Sequence, residues 1–273
     1  MKLVAVDMDG TFLGPDGTYD RPRFERLYNR LQAHGIAFVV ASGNQHAQLQ
    51  SKFEPLSGVR YIAENGGVIA EGEQIIRVSP IERAAAAATL ALVDEWPDVL
   101  TLASCPVSAY VRLGADPCLL GGIRPYVVDL RWVDQWSDVP EPVVKIALGC
   151  APDNTEAVLE RLKSVLPEAV VATSSGHGSI DLIPRAVNKG TALQWLADRL
   201  GLDVADAVAF GDGGNDAELL AVAGRGVAMA NAPGWLRSRA DDVTLSNAAS
   251  GVQTYLERLL RELEVVGSPA RVQ

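Results

Sequence analysis

The sequence predicts a doubly wound α/β core with a smaller α+β module inserted into it, and three observations carry that reading. Strand and helix signals alternate through residues 1–79, the alternation breaks in the middle of the chain, and it resumes from residue 185 to the C-terminus. Repeated strand–helix–strand order implies a parallel sheet with helices on both faces, whereas clustered strands with few helices imply a separate α+β unit.

Leu3–Val6 is a short apolar run, the mark of a strand covered on both faces. Over 21–33, Phe24, Leu27, Tyr28 and Leu31 fall at helical spacing, and His34-Gly35 supplies a stop. Residues 36–41 read as a second buried strand, 45–53 as a helix and 59–63 as a third strand, followed by a hairpin around Asn65-Gly66-Gly67. The middle opens with an Ala-rich helix at 81–95, ended by Trp96-Pro97. Strand-like runs follow at 100–104, 109–113, 143–148, 170–173 and 179–183, with helical stretches near 116–125 and 154–165. The original order then returns: helix 189–200 stopped by Gly201, strand 207–210, helix 215–223, strand 226–229 and a terminal amphipathic helix at 252–264. The expected division is a core of 1–79 and 185–273 around an insert of 80–184, with a disordered tail from Gly267.

Composition narrows the function. Across 273 residues, 48% are apolar, so a real core can be buried. The 24 Lys+Arg against 34 Asp+Glu give a formal charge of −10, which argues against a nucleic-acid partner. An anionic small substrate then needs a local positive field. Cys105, Cys118 and Cys150 form neither a metal nor a disulfide pattern and are expected as small buried residues. The N-terminus runs straight into a strand and the longest apolar stretch, 84–93, is about half a bilayer span. Together these point to a cytoplasmic protein with no membrane partner.

Four polar clusters follow strands or open helices of the core, the edge of an open parallel sheet where ligands bind. Asp7-Met8-Asp9-Gly10-Thr11 comes directly after the first strand. A carboxylate at Asp7 can attack phosphorus to form an acyl phosphate, and Asp9 can serve the leaving group and then water as acid and base. Asp and Gly also mark ordinary strand-end turns. In Ala41-Ser42-Gly43-Asn44, the Ser42 hydroxyl and the unobstructed Gly43 N–H suit phosphate oxygens, although the same run suits a helix cap. Lys189, opening a helix, would offset charge on nucleophile and phosphoryl group if it reaches them; a solvated lysine is the plainer alternative. In Gly211-Asp212-Gly213-Gly214-Asn215-Asp216, Asp212 joins Asp7 and the Asp9 carbonyl as candidate Mg²⁺ ligands, because that ion favours oxygen ligation with one or two carboxylates.

In this order DMDGT, ASGN, the Lys189 of NKG, and GDGGND resemble the four motifs of the haloacid-dehalogenase-type phosphohydrolases. The likeness spans essentially the whole chain, and the insert's position and length are similar to the Cof-type subgroup with its C2B cap. The runs DMDGTF, FVVASGNQ, AENGG, SAYV and GDGGNDAE resemble the bacterial sugar phosphatases of that subgroup. The resemblance implies Asp7 as nucleophile and Asp9 as acid/base. It also implies Gly10, Ser42, Gly43, Lys189 and Asn215 around the phosphate, Asp7, Asp9 and Asp212 on Mg²⁺, and Asp216 as a support for the metal. Many Cof-type relatives carry Arg where this chain has Asn44, so a substrate-charge role at that position is not carried over.

The expected activity is Mg²⁺-dependent hydrolysis of a small phosphomonoester, a sugar phosphate being the leading class. A phosphomutase-like transferase shares the nucleophile, and a sugar-phosphate-binding regulator could use the same frame without turnover. Outside the four clusters, His177 lies between glycines in a loop, Asn65 is either a cleft residue or a left-handed turn residue, and Lys145 is a candidate for contact with core or substrate. His34 and His46 read as surface helix-end residues, and Trp96, Trp132, Trp136, Trp195 and Trp235 as packing residues. Oligomeric state has no signature in the sequence.

Overall fold

The computed structural model describes residues 1–123, 126–176 and 178–267. In chain order it opens with β1 (Leu3–Val6), α1 (Arg21–Ala33), β2 (Ala37–Ala41), α2 (His46–Phe53), β3 (Arg60–Ala63), β4 (Val68–Glu71) and β5 (Gln74–Val78). There follow α3 (Arg83–Val93), β6 (Leu100–Ser104), β7 (Ala109–Arg112), α4 (Pro117–Ile123), β8 (Leu130–Val133), β9 (Lys145–Gly149), α5 (Thr155–Lys163), β10 (Val170–Gly176) and β11 (Ser179–Pro184). The last group is α6 (Lys189–Leu200), β12 (Ala207–Gly211), α7 (Ala217–Val222), β13 (Arg225–Met229), α8 (Gly234–Arg237), β14 (Asp242–Thr244) and α9 (Gly251–Gly267).

The strands form two sheets. One runs β14-β13-β12-β1-β2-β3-β4-β5, and the other β10-β11-β9-β6-β7-β8. From β14 to β3 the first sheet is parallel, so the α/β reading of both chain ends is correct. Its far edge, β4 and β5, is antiparallel. Alternation along each buried strand feeds two cores. Val4 and Val6 join the core beneath α1, α2 and α9, while Leu3 and Ala5 join the one beneath α6, α7 and α8. The second sheet is antiparallel except for the β7–β8 pair and has its own core against α3 and α5. That is an α+β layer beside a doubly wound core.

Local sequence explains the element that matters most. Asn188 caps α6 by accepting from the Thr191 N–H at 2.8 Å, while Thr191 Oγ1 accepts from the Asn188 N–H at 3.1 Å. This reciprocal cap fixes Lys189 at the first helical position. The passages between the two sheets meet at one turn. The Ser79 N–H donates to the Gly67 carbonyl at 2.8 Å on the way out. On the way back, Gly66 lies so close to Asn188 that a Cβ there would stand 2.6 Å from the Asn188 carbonyl oxygen.

Several expectations need correction. His46 is buried, not a surface residue: its ring packs on Tyr61 and its Nε2 lies 2.8 Å from the Gly72 carbonyl oxygen. Trp132 and Trp235 are 48% and 45% exposed, because one sits on the edge strand β8 and the other on the short α8. The stretch 215–223 is a tight turn at 214–216 followed by α7. Strands β4, β5, β8 and β14 and helix α8 were not anticipated beyond a hairpin near Asn65. Cys105 and Cys150 are buried free thiols, while the Cys118 side chain, His177 and the expected tail after Gly267 lie outside the described residues.

Candidate active site

The first polar cluster is held in place by its apolar neighbours. Met8 and Phe12 are buried on either side of the Asp9-Gly10-Thr11 turn, and Phe12 meets Phe24 edge-on at 4.8 Å within an aromatic group that includes Phe38 and Phe53. Asp7 leaves β1 with its N–H on the Phe210 carbonyl at 3.0 Å. Gly10 is required by both conformation and space: its φ is +79°, and a Cβ would stand 2.3 Å from Asp212 Oδ2.

Because β1 pairs with β12, Asp7 and Asp212 emerge from neighbouring strands at the same sheet edge. Lys189, fully buried, reaches Asp7 and Asp216 from α6: its Nζ is 2.7 Å from Asp7 Oδ1 and 2.6 Å from Asp216 Oδ1. Asp216 turns its other oxygen to the Asp212 and Gly213 N–H groups at 3.0 and 2.9 Å. Asp212 accepts from Thr11 Oγ1 at 2.7 Å. Burial pushes the Asp7 carboxyl well above the usual range, and nearby Asp216 and Asp212 add to this against the pull of Lys189. Burial likewise raises Asp212 to about 6, with Asp216 contributing. Burial disfavours the charge on Lys189, but Asp216 and Asp7 outweigh it and hold its pKa above the ordinary value.

One carboxylate oxygen from each of Asp7, Asp212 and Asp216 lies within 4.8 Å of the other two. Among the described residues a single lysine faces this acidic group, and burial makes the group's charge costly, so a divalent cation fits the donor set. Both Asp216 oxygens are engaged by Lys189 and the two amides, which leaves Asp7 and Asp212 with the freer lone pairs. The Asp9 carboxylate stands apart from the triad, exposed, accepting from Asn44 Nδ2 at 2.7 Å. Asn44 therefore engages a side chain of the first cluster.

The second cluster follows β2. Ser42 is buried, and its Oγ accepts from the Asn44 N–H at 3.1 Å, which leaves the hydroxyl proton free to donate elsewhere. The Gly43 carbonyl accepts from Lys145 Nζ of β9 at 2.6 Å. Lys145 is buried and also faces Glu64 at 2.8 Å and Asp181 at 3.4 Å. Burial opposes its charge, but Asp181 and Glu64 prevail and hold its pKa above the usual lysine value. Asn65 has φ +54° and bridges the sheets: its Nδ2 donates to Asp181 Oδ2 at 2.6 Å, and its Oδ1 accepts from Asn215 Nδ2 at 3.0 Å. Asn65 thus has the left-handed conformation and is buried, joining Asp181 and Asn215, which line the cleft.

Asp7, Asp9, Gly10, Ser42, Gly43, Asp212, Asn215 and Asp216 line one cleft of about 400 Å³, with Lys189 buried behind its floor. The second sheet contributes Leu102, Ser104, Lys145, Ala147 and Asp181 to the same cleft. Sequence reading passed over Asn231, whose Nδ2 donates to the Gly10 carbonyl at 2.8 Å and lies 3.3 Å from Asp212 Oδ2. The available signal was its position just past β13, at the same edge as the other clusters. Asp181 and Gln45 were also missed.

The family of haloacid dehalogenase-like hydrolases matches residues 4–256. A 5-amino-6-(5-phospho-D-ribitylamino)uracil phosphatase, YbjI of Escherichia coli K12, is 35% identical over 96% of this chain and 97% of its own length. A phosphoglycolate phosphatase of Methanopyrus kandleri is 32% identical over 96% and 99%. The crystal structure of SMU.1108c from Streptococcus mutans superposes with a TM-score of 0.89 at 32% identity, covering 96% of this chain and 99% of that one.

Proposed function

The chain belongs to the haloacid dehalogenase-like hydrolases, and on that premise we propose that it hydrolyses small phosphomonoesters, sugar or sugar-alcohol phosphates among them, through an aspartyl-phosphate on Asp7. Its activity as a phosphatase on small phosphorylated substrates accords with the phosphatases among its relatives. The observation that carries the covalent route is the 2.7 Å contact between Lys189 Nζ and Asp7 Oδ1. It ties up one oxygen of a buried carboxylate and leaves Oδ2 as the nucleophile.

In the first step a bond forms from Asp7 Oδ2 to phosphorus as the ester P–O bond breaks, and Asp9 gives its proton to the departing alcohol oxygen. Asp9 then takes a proton from the water that attacks phosphorus, and the Asp7–phosphate bond breaks. The Lys189 ammonium offsets negative charge at the transferring group. The Ser42 hydroxyl, the Gly43 N–H and the Asn215 amide orient the phosphoryl oxygens, and Gly10 keeps the turn open beside Asp212. Asp7, Asp212 and the Asp9 carbonyl would hold Mg²⁺, with Asp216 steadying the Asp212 loop through two amide bonds. When bound, that ion supplies Lewis-acid neutralisation of phosphoryl charge.

Residues 80–184 serve in this reading as the cap that covers the cleft, with 1–79 and 185–273 as the catalytic core. Among the described residues no helix is long and apolar enough to cross a membrane. Cytoplasmic residence is supported by the buried free thiols of Cys105 and Cys150. A metabolite panel assayed with Mg²⁺ and with chelator tests the activity. Acid quenching during turnover tests the route: base-labile phosphate is expected on the wild-type chain and absent from Asp7→Asn, whose rate falls at least about 10³-fold. An unchanged Asp7→Asn rate overturns the covalent step.

A further inference from the structure

Gln45 opens α2, yet its side chain makes no capping bond there. Its backbone carbonyl already serves the helix by accepting from the Gln48 and Leu49 N–H groups. The side chain, 3% exposed, crosses instead to the second sheet. Nε2 donates to the Val107 carbonyl at 3.0 Å, and Oε1 accepts from the Val128 and Asp129 N–H groups at 2.9 and 3.2 Å. Both ends of the amide are therefore spent on loop backbone of the other layer.

The segment so held has a specific place. Tyr126 and Val127, just before the clasped amides, line the cleft with Leu102, Ala109, Leu119 and Ala147. Register explains the grouping: Leu102 faces Ala147 across β6 and β9, while Ser104 faces Lys145 one pleat further on. The cleft side of the second sheet is thus polar above Gly43 and Glu64, and apolar toward β7 and the 126–129 loop. A phosphoryl group held by Ser42 and Gly43 would point its leaving group toward that apolar wall. The clasp starts three residues after Ser42, so the same short segment grips the phosphate end and sets the wall.

Resting on the phosphatase reading above, we propose that Gln45 is a positioning residue that pins the 126–129 wall over the leaving-group end of the cleft, where it favours phosphomonoesters whose leaving group is long enough to bury surface against that wall. Discrimination through such a wall comes from surface buried on both partners, with little hydrogen-bond readout.

Acetyl phosphate, whose leaving group is too short to reach the wall, is compared with riboflavin 5′-phosphate for wild type, Gln45→Ala and Gln45→Glu. In Gln45→Ala the ratio of kcat/KM for riboflavin 5′-phosphate over acetyl phosphate is expected to fall about tenfold or more, mainly through KM. Amide hydrogen exchange at Val128 and Asp129 should quicken in the same variant. Gln45→Glu retains an acceptor for those two amides and should keep more of both properties. The proposal is overturned if the two substrates lose kcat/KM in equal proportion, if exchange at 128 and 129 is unchanged, or if Gln45→Glu behaves as Gln45→Ala. It is also overturned if the wild type hydrolyses acetyl phosphate but refuses riboflavin 5′-phosphate. Absence of wild-type turnover on both substrates and on the metabolite panel would instead remove the phosphatase reading itself.

Discussion

Lys189 Nζ and Asp7 Oδ1 are 2.7 Å apart, in a contact that joins the end of β1 to the first turn of α6. Both groups are buried, and Asp216 holds the ammonium from its other side. Replacing Lys189 by Met should lower kcat by roughly 10²–10³, the usual loss for a preorganised charge at a transferring group. Lys189→Arg should not restore the rate, since a planar guanidinium has different reach and shape in a site with no exposure. Steady-state kinetics on both variants decide this, and near-wild-type turnover by the Arg variant would refute it.

In the proposed site Asp212 is a metal ligand that takes no part in the covalent step. Mg²⁺ should raise the thermal unfolding midpoint of the wild type, because a ligand that binds only the folded chain stabilises it, by about 2.7 kcal/mol at a hundred times its Kd. In Asp212→Asn the response should largely vanish. Calorimetry with Mg²⁺ and with chelator reads this without any substrate, and an equal midpoint shift in both proteins would dismiss Asp212 as a ligand.

Lys145 is a buried cation between Glu64 and Asp181. Lys145→Met should cost about 3–5 kcal/mol, since it leaves buried carboxylates without their counter-charge. Adding Glu64→Gln to that variant should recover part of the loss by removing one of the stranded charges. Urea midpoints of the single and double variants check the pair, and additive losses would rule out the coupling.

His46 sets a pH dependence of stability. Burial lowers its pKa in the folded chain, whereas the unfolded chain titrates near about 6.5. Below that pH the unfolded state takes up the proton first, so stability should decline as pH falls until the folded-state value is passed. The limiting slope is about 1.4 kcal/mol per pH unit. Urea titrations between pH 7.5 and 5 should show a steeper decline for wild type than for His46→Gln. Identical slopes would mean that His46 does not contribute.

Much of this was legible in the sequence for one reason: the core strands are buried on both faces. Leu3–Val6 and 207–210 therefore announce themselves as apolar runs, and polar residues immediately after them stand out. Strand β5 gave no such signal because it is a largely exposed edge, and β14 is only three residues long. His46 was misread because its burial depends on Tyr61 and on the Gly72 carbonyl, which adjacent residues do not reveal. The same holds for Lys145 with Gly43, and for Gln45 with the Val107 carbonyl and the Val128 and Asp129 amides: each contact joins segments far apart in the chain, and no local periodicity encodes it.

The turn at 64–67 receives the outgoing strand connection at Gly67 and the returning one beside Gly66. A segment that departs and re-enters at one corner can be exchanged as a cassette without rerouting the parallel sheet. If residues 80–184 act as the cap proposed above, a relative's cap grafted between Ser79 and Arg185 should bring its own leaving-group preference, provided the graft keeps counterparts of Lys145 and Asp181, which hold Gly43 and Asn65. Divergence within such proteins can proceed by changing the cover while the floor stays fixed.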